Sequence, residues 1–416
     1  MKNNLRVPII AAAAAVIASV FAFAAEPPLT LERCMELSEQ NSSELRVQAE
    51  KLNQARQSYR QAWGGVLPVI SYEASKLYRD TVDGKYSNGL EDSRFTLSQP
   101  LFRGFRTASG ISYSKVQLQM EEARYRTAHR LLEAELTSAF YAYAATEADI
   151  ANIQITVKIM NERLSELNGR VRLGKSRESE VLVVESQLAT LDAQLQRAEG
   201  ERANAAETLS YLTGLDQSRI SITGGTSDTA GIMPVAEYLK QAKGRSDLEA
   251  ARLDARSQGD SLRAAKGAFL PSVGVDGSWY TARSGSSSDI KWETLLWLQW
   301  PLFTGGTRYA GMKAEASRLK EYETRIELLE RGVSMEISKL YRSLEASLKQ
   351  AAAYRRAYEK AEKSYQIQLK DYRYGLVNNL EVIQMMTAML DAKRNLDRAL
   401  IQVKSDRALL EIAVKK

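Results

Sequence analysis

The sequence predicts a mainly α-helical chain carrying four β-strands for a membrane β-barrel, built from two copies of one plan. Three observations predict this. The sequence repeats itself at an offset of about 201 residues. Prolines bracket two short stretches of period-two alternation. Between these stretches run segments almost free of Gly and Pro, with helical periodicity.

The repeat is explicit. Leu97-Ser98-Gln99-Pro100-Leu101-Phe102-Arg103-Gly104 returns as Leu298-Gln299-Trp300-Pro301-Leu302-Phe303-Thr304-Gly305. Arg172-Leu173-Gly174 and Glu180-Val181 return as Arg373-Tyr374-Gly375 and Glu381-Val382, and Leu67-Pro68 returns as Leu270-Pro271. The period is too long for a solenoid, so each copy is one structural half. Each half reads as helix, two strands, long helix and helix. The division is residues 1–24 as a leader, 25–213 as the first repeat with a hairpin at about 66–102, 214–233 as a linker, and 234–416 as the second repeat with a hairpin at about 269–303.

At the start, Lys2 and Arg6 precede an apolar run from Ile9 to Val20, and Ala22-Phe23-Ala24 is a small-x-small cleavage site. This reads as a secretory leader, too short in its apolar run for a spanning helix. Its removal takes two cations and lowers the formal charge from +6 to about +4, which gives no argument for a nucleic-acid partner. The one cysteine, Cys34, excludes an internal disulfide and lies among Leu31, Met35 and Leu37, which points to packing.

The strands come next. Ile70, Tyr72 and Ala74 alternate with Ser71, Glu73 and Ser75; Phe95, Leu97 and Leu101 alternate with Arg94, Thr96 and Ser98; Val273, Val275, Gly277 and Trp279 alternate with Ser272, Gly274, Asp276 and Ser278. The fourth strand, Trp292 to Trp300, alternates less cleanly. Asp80 to Gly84 and Arg283 to Ser288 read as hairpin loops. Pro68, Pro100, Pro271 and Pro301 bracket these segments, while Pro234 opens a helix in mid-chain.

The helices follow. Ile111 to Asn168 has no Gly or Pro over 58 residues, a possible length of about 87 Å. Met312 to Tyr374 is its partner. Leu319, Tyr322, Ile326, Leu329, Val333, Ile337, Leu340 and Leu344 step by threes and fours, and the same seam shifted back by 201 runs from Leu118 to Tyr143. That is coiled-coil spacing. Return helices are expected over Ser179–Leu212 and Leu380–Val414.

Four strands cannot close a barrel, and an open sheet with one apolar face leaves bare edges. Association of chains solves both problems. Three chains supply twelve strands and an aqueous lumen, with the apolar face toward lipid. Trp279, Trp292, Trp297 and Trp300 suit the membrane interface. The charged helices must stand in water below such a barrel.

These features resemble the outer membrane efflux protein (TolC) family. The resemblance rests on Leu29-Thr30-Leu31-Glu32, the duplicated Leu-Pro and Pro-Leu-Phe-x-Gly corners, and the two Gly-containing helix–helix tips. It implies a homotrimer, with a 12-stranded barrel in outer-membrane lipid continued by a periplasmic helical barrel. It also implies docking to a periplasmic adaptor (membrane fusion protein), an indirect link to an inner-membrane pump, and passive conduction to the exterior. The alternative from another class is a periplasmic adaptor or coiled-coil scaffold without a pore.

Site expectations concentrate at the two tips. Gly174 and Gly375 join long helices, where a left-handed turn favours Gly. The resemblance implies that Arg172, Gly174, Val181, Arg373, Gly375, Leu376 and Val382 meet the adaptor. It also implies a periplasmic gate of Glu381, Gln384, Glu180 and Tyr372. Three copies of Glu381 at about 6 Å repel by about 3 kcal/mol per pair at an effective dielectric near 20. Gln384 is neutral where relatives place an acid, and Val377 stands where some place Arg. No enzyme, cofactor or metal site is expected, since His129 is the only histidine and no phosphate loop follows the Gly pairs.

Overall fold

The computed structural model describes residues 29–79, 87–217, 220–222, 231–285 and 287–416. The predicted leader, the hairpin loop at 80–84 and half of the linker lie outside these residues. The first half contains α1 (Leu31–Asn41), α2 (Ser43–Gly64), β1 (Val69–Arg79), β2 (Ser87–Arg103), α3 (Arg106–Arg172) and α4 (Glu178–Thr213). The second repeats that order as α5 (Val235–Ala242), α6 (Ser246–Gly267), β3 (Ser272–Arg283), β4 (Trp292–Gln299), α7 (Thr307–Arg373) and α8 (Asn379–Ala413). Two helices therefore precede each strand pair, where one was expected. The first break is made by Ser42, whose hydroxyl accepts from the Leu45 amide while its own amide bonds the Ser38 carbonyl.

Both long helices have 67 residues, about 100 Å each. Both start earlier than expected and α3 also ends later, so they take in Gly110, Gly169 and Gly311 beside the expected Gly332, because lateral packing outweighs a cost of about 1 kcal/mol per glycine. α3 begins at a sharp corner with Gly104 and Phe105 both left-handed, at φ 61° and 62°. The Phe105 backbone is strained, and its ring packs edge-on against Phe102 at 5.2 Å. The second corner, Gly305-Gly306, makes the same turn with two glycines.

The expected seam forms. Leu132, Leu136 and Tyr143 are buried with Cys34, Phe140 and Leu209 in one core cluster. Their counterparts Val333, Ile337 and Leu344 are buried with Tyr238, Leu248 and Leu410 in a second. Burial pushes the Cys34 thiol up to about 11, helped by the nearby Glu32 charge. The described part of the linker adds to the first core: Leu29 pairs in parallel with Ile222, and the Tyr143 hydroxyl donates to the Ile220 carbonyl at 3.0 Å.

The sheet is antiparallel in the order β1-β2-β3-β4, so β1 and β4 are its edges. Its register sorts the faces. Ile70 faces Leu97, Tyr72 faces Phe95, and Phe95 in turn faces Trp279. On the reverse side Ser71 bonds Thr96 at 2.6 Å, Glu73 pairs with Arg94 at 3.0 Å, and Ser98 donates to Asp276 at 2.6 Å. Two details correct the sequence reading. Pro100 sits inside β2, where its missing N–H falls at a bulge. That bulge leaves Leu101 unpaired and sets Phe102 opposite Val273, so Phe102 continues the apolar face.

Candidate functional site at the helical tips and the apolar sheet face

Both tips are helix–turn–helix corners of one type. Gly174 has φ 68° and Gly375 has φ 75°. The Lys175 amide returns to the Arg170 carbonyl at 2.8 Å, and the Leu376 amide to the Asp371 carbonyl at 3.0 Å. This pattern satisfies the last carbonyls of α3 and α7 and needs the left-handed residue. The return helices start differently. Asn378 caps α8 by accepting from the Glu381 amide at 3.0 Å, and its own amide donates to the Glu381 carboxylate at 2.8 Å. At α4 the Ser176 hydroxyl donates to Glu180 at 2.9 Å.

The structure separates the expected tip residues into two groups. Arg172, Gly174, Arg373, Gly375 and Leu376 are exposed, joined by Leu173 and Tyr374. Val181 and Val382, expected at the contact surface, are both buried, Val181 in the tip core with Val184, Ile383, Met386 and Leu167. One turn into each return helix, an apolar side chain is drawn toward the packed helices. Glu381 and Glu180 are half-buried and Gln384 is exposed. Tyr372 is buried, which removes it from the solvent-facing rim.

Tyr372 instead lies between two cations. The Arg163 guanidinium is 4.3 Å from its ring centroid and that of Arg170 is 4.5 Å. Arg163, itself buried, donates from Nε and Nη2 to the Asn379 side-chain carbonyl at 2.8 and 2.5 Å. Glu166 takes Arg163 at 2.5 Å and Arg170 at 3.1 Å. One residue of α3 thus holds both the end of α7 and the start of α8. A second latch lies further up the helices. Asp149 is buried and receives Arg394 at 3.1 Å and Arg398, whose Nε is at 2.7 Å from each carboxylate oxygen. Asn152 donates to Asp397 at 2.9 Å. Between the latches is a cavity of about 200 Å³ lined by Thr156, Gln187, Thr387 and Asp391.

These latch residues were not found from sequence. The signal that could have found them is a failure of the repeat: Arg163 and Asn379 have Ser364 and Glu178 at the equivalent places, and Asp149 has Gln350. Where two halves are otherwise alike, an unmatched charge marks a contact between them.

The aromatic group divides too. Trp279 and Trp292 face each other at the loop end of β3 and β4, both exposed on the apolar side. Trp300, exposed just beyond the other end of β4, donates to the Phe269 carbonyl at 3.1 Å. The separation along the chain from Trp292 to Trp300 corresponds to about 26 Å of strand. Trp297 does not join them. It pairs with Gly274 on the reverse face, where a β-carbon on Gly274 would lie 2.5 Å from the indole. The glycine makes room for the ring; Trp297, together with Leu295 opposite Asp276 on the same face, gives β4 its poor alternation.

Among the described residues no helix is long and apolar enough to cross a membrane, and no group of His, Cys, Asp or Glu has the geometry of a metal site.

Comparison with known proteins accounts for nearly the whole described chain. The family pattern described as Outer membrane efflux protein matches residues 35–215 and 239–414. The outer membrane efflux protein BepC of Brucella suis biovar 1 is 20% identical over 82% of this chain and 77% of its own length. The outer membrane protein TolC of Salmonella enteritidis is 22% identical over 86% and 76% respectively. A crystal structure of CusC, described in connection with transmembrane channel formation, superposes with a TM-score of 0.83 at 17% identity, covering 92% of this chain and 91% of that one.

Proposed function

Because this chain belongs to the outer membrane efflux protein family, we propose that it is the exit duct of a tripartite efflux pump or type I secretion system. It is an outer-membrane protein with a periplasmic helical domain. Three copies pool three times four strands into one barrel, and their helical hairpins form the tunnel beneath. Substrates enter from a periplasmic adaptor and an inner-membrane transporter and leave passively.

The observation that carries this reading is the sheet. One face is apolar and exposed, the other is laced with Ser71–Thr96, Glu73–Arg94 and Ser98–Asp276, and both edges are unpaired. A free edge and a bare apolar face are both costly in water, and a closed barrel in lipid removes both. The Trp279–Trp292 pair and Trp300 stand apart by a distance close to the roughly 25 Å apolar band of outer-membrane barrels. The family match over both repeats favours this reading over an adaptor or scaffold without a pore.

The tips form the periplasmic mouth. Arg172, Gly174, Arg373, Gly375 and Leu376 present the adaptor surface, with Leu173 and Tyr374 beside them. Val181 and Val382 hold its shape from inside. Glu381 and Gln384, three apart on α8, and Glu180 line the mouth, while Tyr372 acts through the Arg163 clasp. Planar bilayer recording tests the channel reading. Purified trimers should give discrete cation- and voltage-responsive conductance steps, and the absence of any conductance from correctly inserted trimers would sink it.

A further inference from the structure

We infer that the α7 flank of each protomer docks on the α2 flank of a second copy of this chain through Arg331 against Glu44 and Glu327 against Arg46, reproducing between chains the α3–α6 contact made within one. This rests on the trimeric reading above and specifies its interface.

The in-chain contact is well defined. α3 packs along α6, with Arg130 at 3.3 Å from Asp247, Arg126 at 2.6 Å from Glu249, and the Thr127 and Ser246 hydroxyls 2.9 Å apart. At the top of the contact Gly104 meets Gly267. A β-carbon on either would lie 2.1 or 1.9 Å from the other's carbonyl oxygen.

The repeat supplies the equivalent surfaces. α3 and α7 have 67 residues each, and α2 and α6 have 22 each. α7 therefore corresponds to α3, and α2 to α6. Within one chain, however, α2 packs along α3 and makes no extended contact with α7. Among the described residues, the surface of α7 that matches the α6-binding face of α3 has no such helix packed along it, and the matching residues Glu44 and Lys51 of α2 border an open groove beside α3 and α6.

The residues on those two faces remain complementary. Arg130 and Asp247 correspond to Arg331 and Glu44, which keep the same signs. Arg126 and Glu249 correspond to Glu327 and Arg46, in which both signs are exchanged together. A joint exchange preserves attraction across a contact and has no value on two free surfaces. The four side chains are solvent-facing in the single chain, where Glu327 has only Arg331 at 3.5 Å along its own helix and Arg46 bonds the Ser43 hydroxyl. Gly64 corresponds to Gly267 but has nothing within 4 Å and no left-handed backbone, so nothing in its own chain requires a glycine. Gly305 of the second copy supplies the reason. One contact does not transfer: Arg124–Asp254, at 3.9 Å, corresponds to the cations Arg325 and Lys51, and Arg325 is instead held by Glu321 at 2.6 Å.

Cysteine cross-linking of the full chain tests this. Ser43 and Leu328 correspond to Ser246 and Thr127, whose hydroxyls meet at 2.9 Å and make this the pair to bridge. The Ser43→Cys, Leu328→Cys double variant should oxidise to a reductant-sensitive covalent trimer, and each single variant should not. Thr127→Cys with Ser246→Cys should close within one chain and give no oligomer. As a second readout, Glu327→Arg or Arg46→Glu alone should lower the trimer fraction by roughly fivefold per interface, and the two together should restore it. Native-like trimers that neither cross-link nor show this restoration would overturn the interface and leave the trimer standing. A wild-type chain that stays monomeric in detergent would remove the trimeric reading itself.

Discussion

Arg163 and Asn379, 216 residues apart, are joined by two hydrogen bonds at 2.8 and 2.5 Å across the tip end of the helical domain. Arg163 also covers the ring of Tyr372 at 4.3 Å. The first hairpin thereby fixes the second at its tip. A channel mouth that opens by moving α7 and α8 away from α3 must break this contact first.

Arg163→Ala should therefore favour the open mouth. Loss of a buried, charge-assisted pair costs about 2 kcal/mol, which corresponds to about a 30-fold shift in population. Lys in its place should rescue little, since it cannot make the paired contact with one carbonyl or stack flat on Tyr372. Single-channel open probability measures the effect, and an unchanged value in both variants would remove the clasp from the gating scheme.

Asp149→Asn should act differently. It leaves the partly exposed Arg394 and Arg398 facing a neutral partner, so the coupling of α3 to α8 weakens along the wall. Because water reaches both cations, a loss of about 1 kcal/mol is expected. Thermal unfolding should shift down while the tip conductance changes less than in Arg163→Ala. The reverse order of effects would contradict the division into two latches.

Glu381→Ala should alter closed-state conductance or its sensitivity to divalent cations, because in the proposed trimeric mouth it would remove one carboxylate from each of the three copies. It also removes the Glu381 carboxylate that Asn378 holds at 2.8 Å. Glu381→Gln keeps a hydrogen-bonding side chain there and separates charge from capping. If both variants behave as wild type in assembled trimers, the acidic gate is wrong.

Acid should loosen the junction of the two repeats through Asp247. Burial raises its pKa, but the Arg245 hydrogen bond and the charges of Arg245 and Arg130 outweigh burial and hold it below the usual carboxylate value. Its folded pKa is therefore depressed. The stability it contributes is present above its unfolded pKa of about 4 and is lost as pH falls through the folded value. Asp247→Asn should reduce stability at neutral pH and flatten the acid limb of a stability–pH curve below about pH 4.

Gly274→Val should impair the sheet while Gly277→Ala is tolerated. The first would press on Trp297, and the second has nothing within 4 Å. Overpacking of this kind costs about 1–3 kcal/mol. The yield of heat-resistant trimer measures it, and equal yields for the two variants would count against the Trp297 placement.

Cys34 should stay unlabelled by maleimide in the native protein at pH 7 and react once the chain is unfolded. It is fully buried and its thiol is pushed up to about 11. It therefore does not interfere with engineered cysteines.

The repeat, the four strands, the long hairpins and the left-handed tips were legible in the sequence, because each is written in local terms. Alternation of Ile70, Tyr72, Phe95 and Leu97 names a strand face, and glycine at 174 and 375 names a turn. The inward turn of Val181 and Val382 was not legible, since apolar residues at a helix start read equally as contact surface or core. Trp297 was misplaced because its face depends on the gap left by Gly274 on the neighbouring strand.

By itself, then, the chain's order of residues determined its elements, their duplication and the family to which it belongs. Only tertiary structure decided which charges meet across hairpins, as Arg163 meets Asn379 and Asp149 meets Arg398. Periodicity is a property of neighbours a few positions apart. A pair separated by more than 200 residues acquires its energy only when packing excludes water between its members.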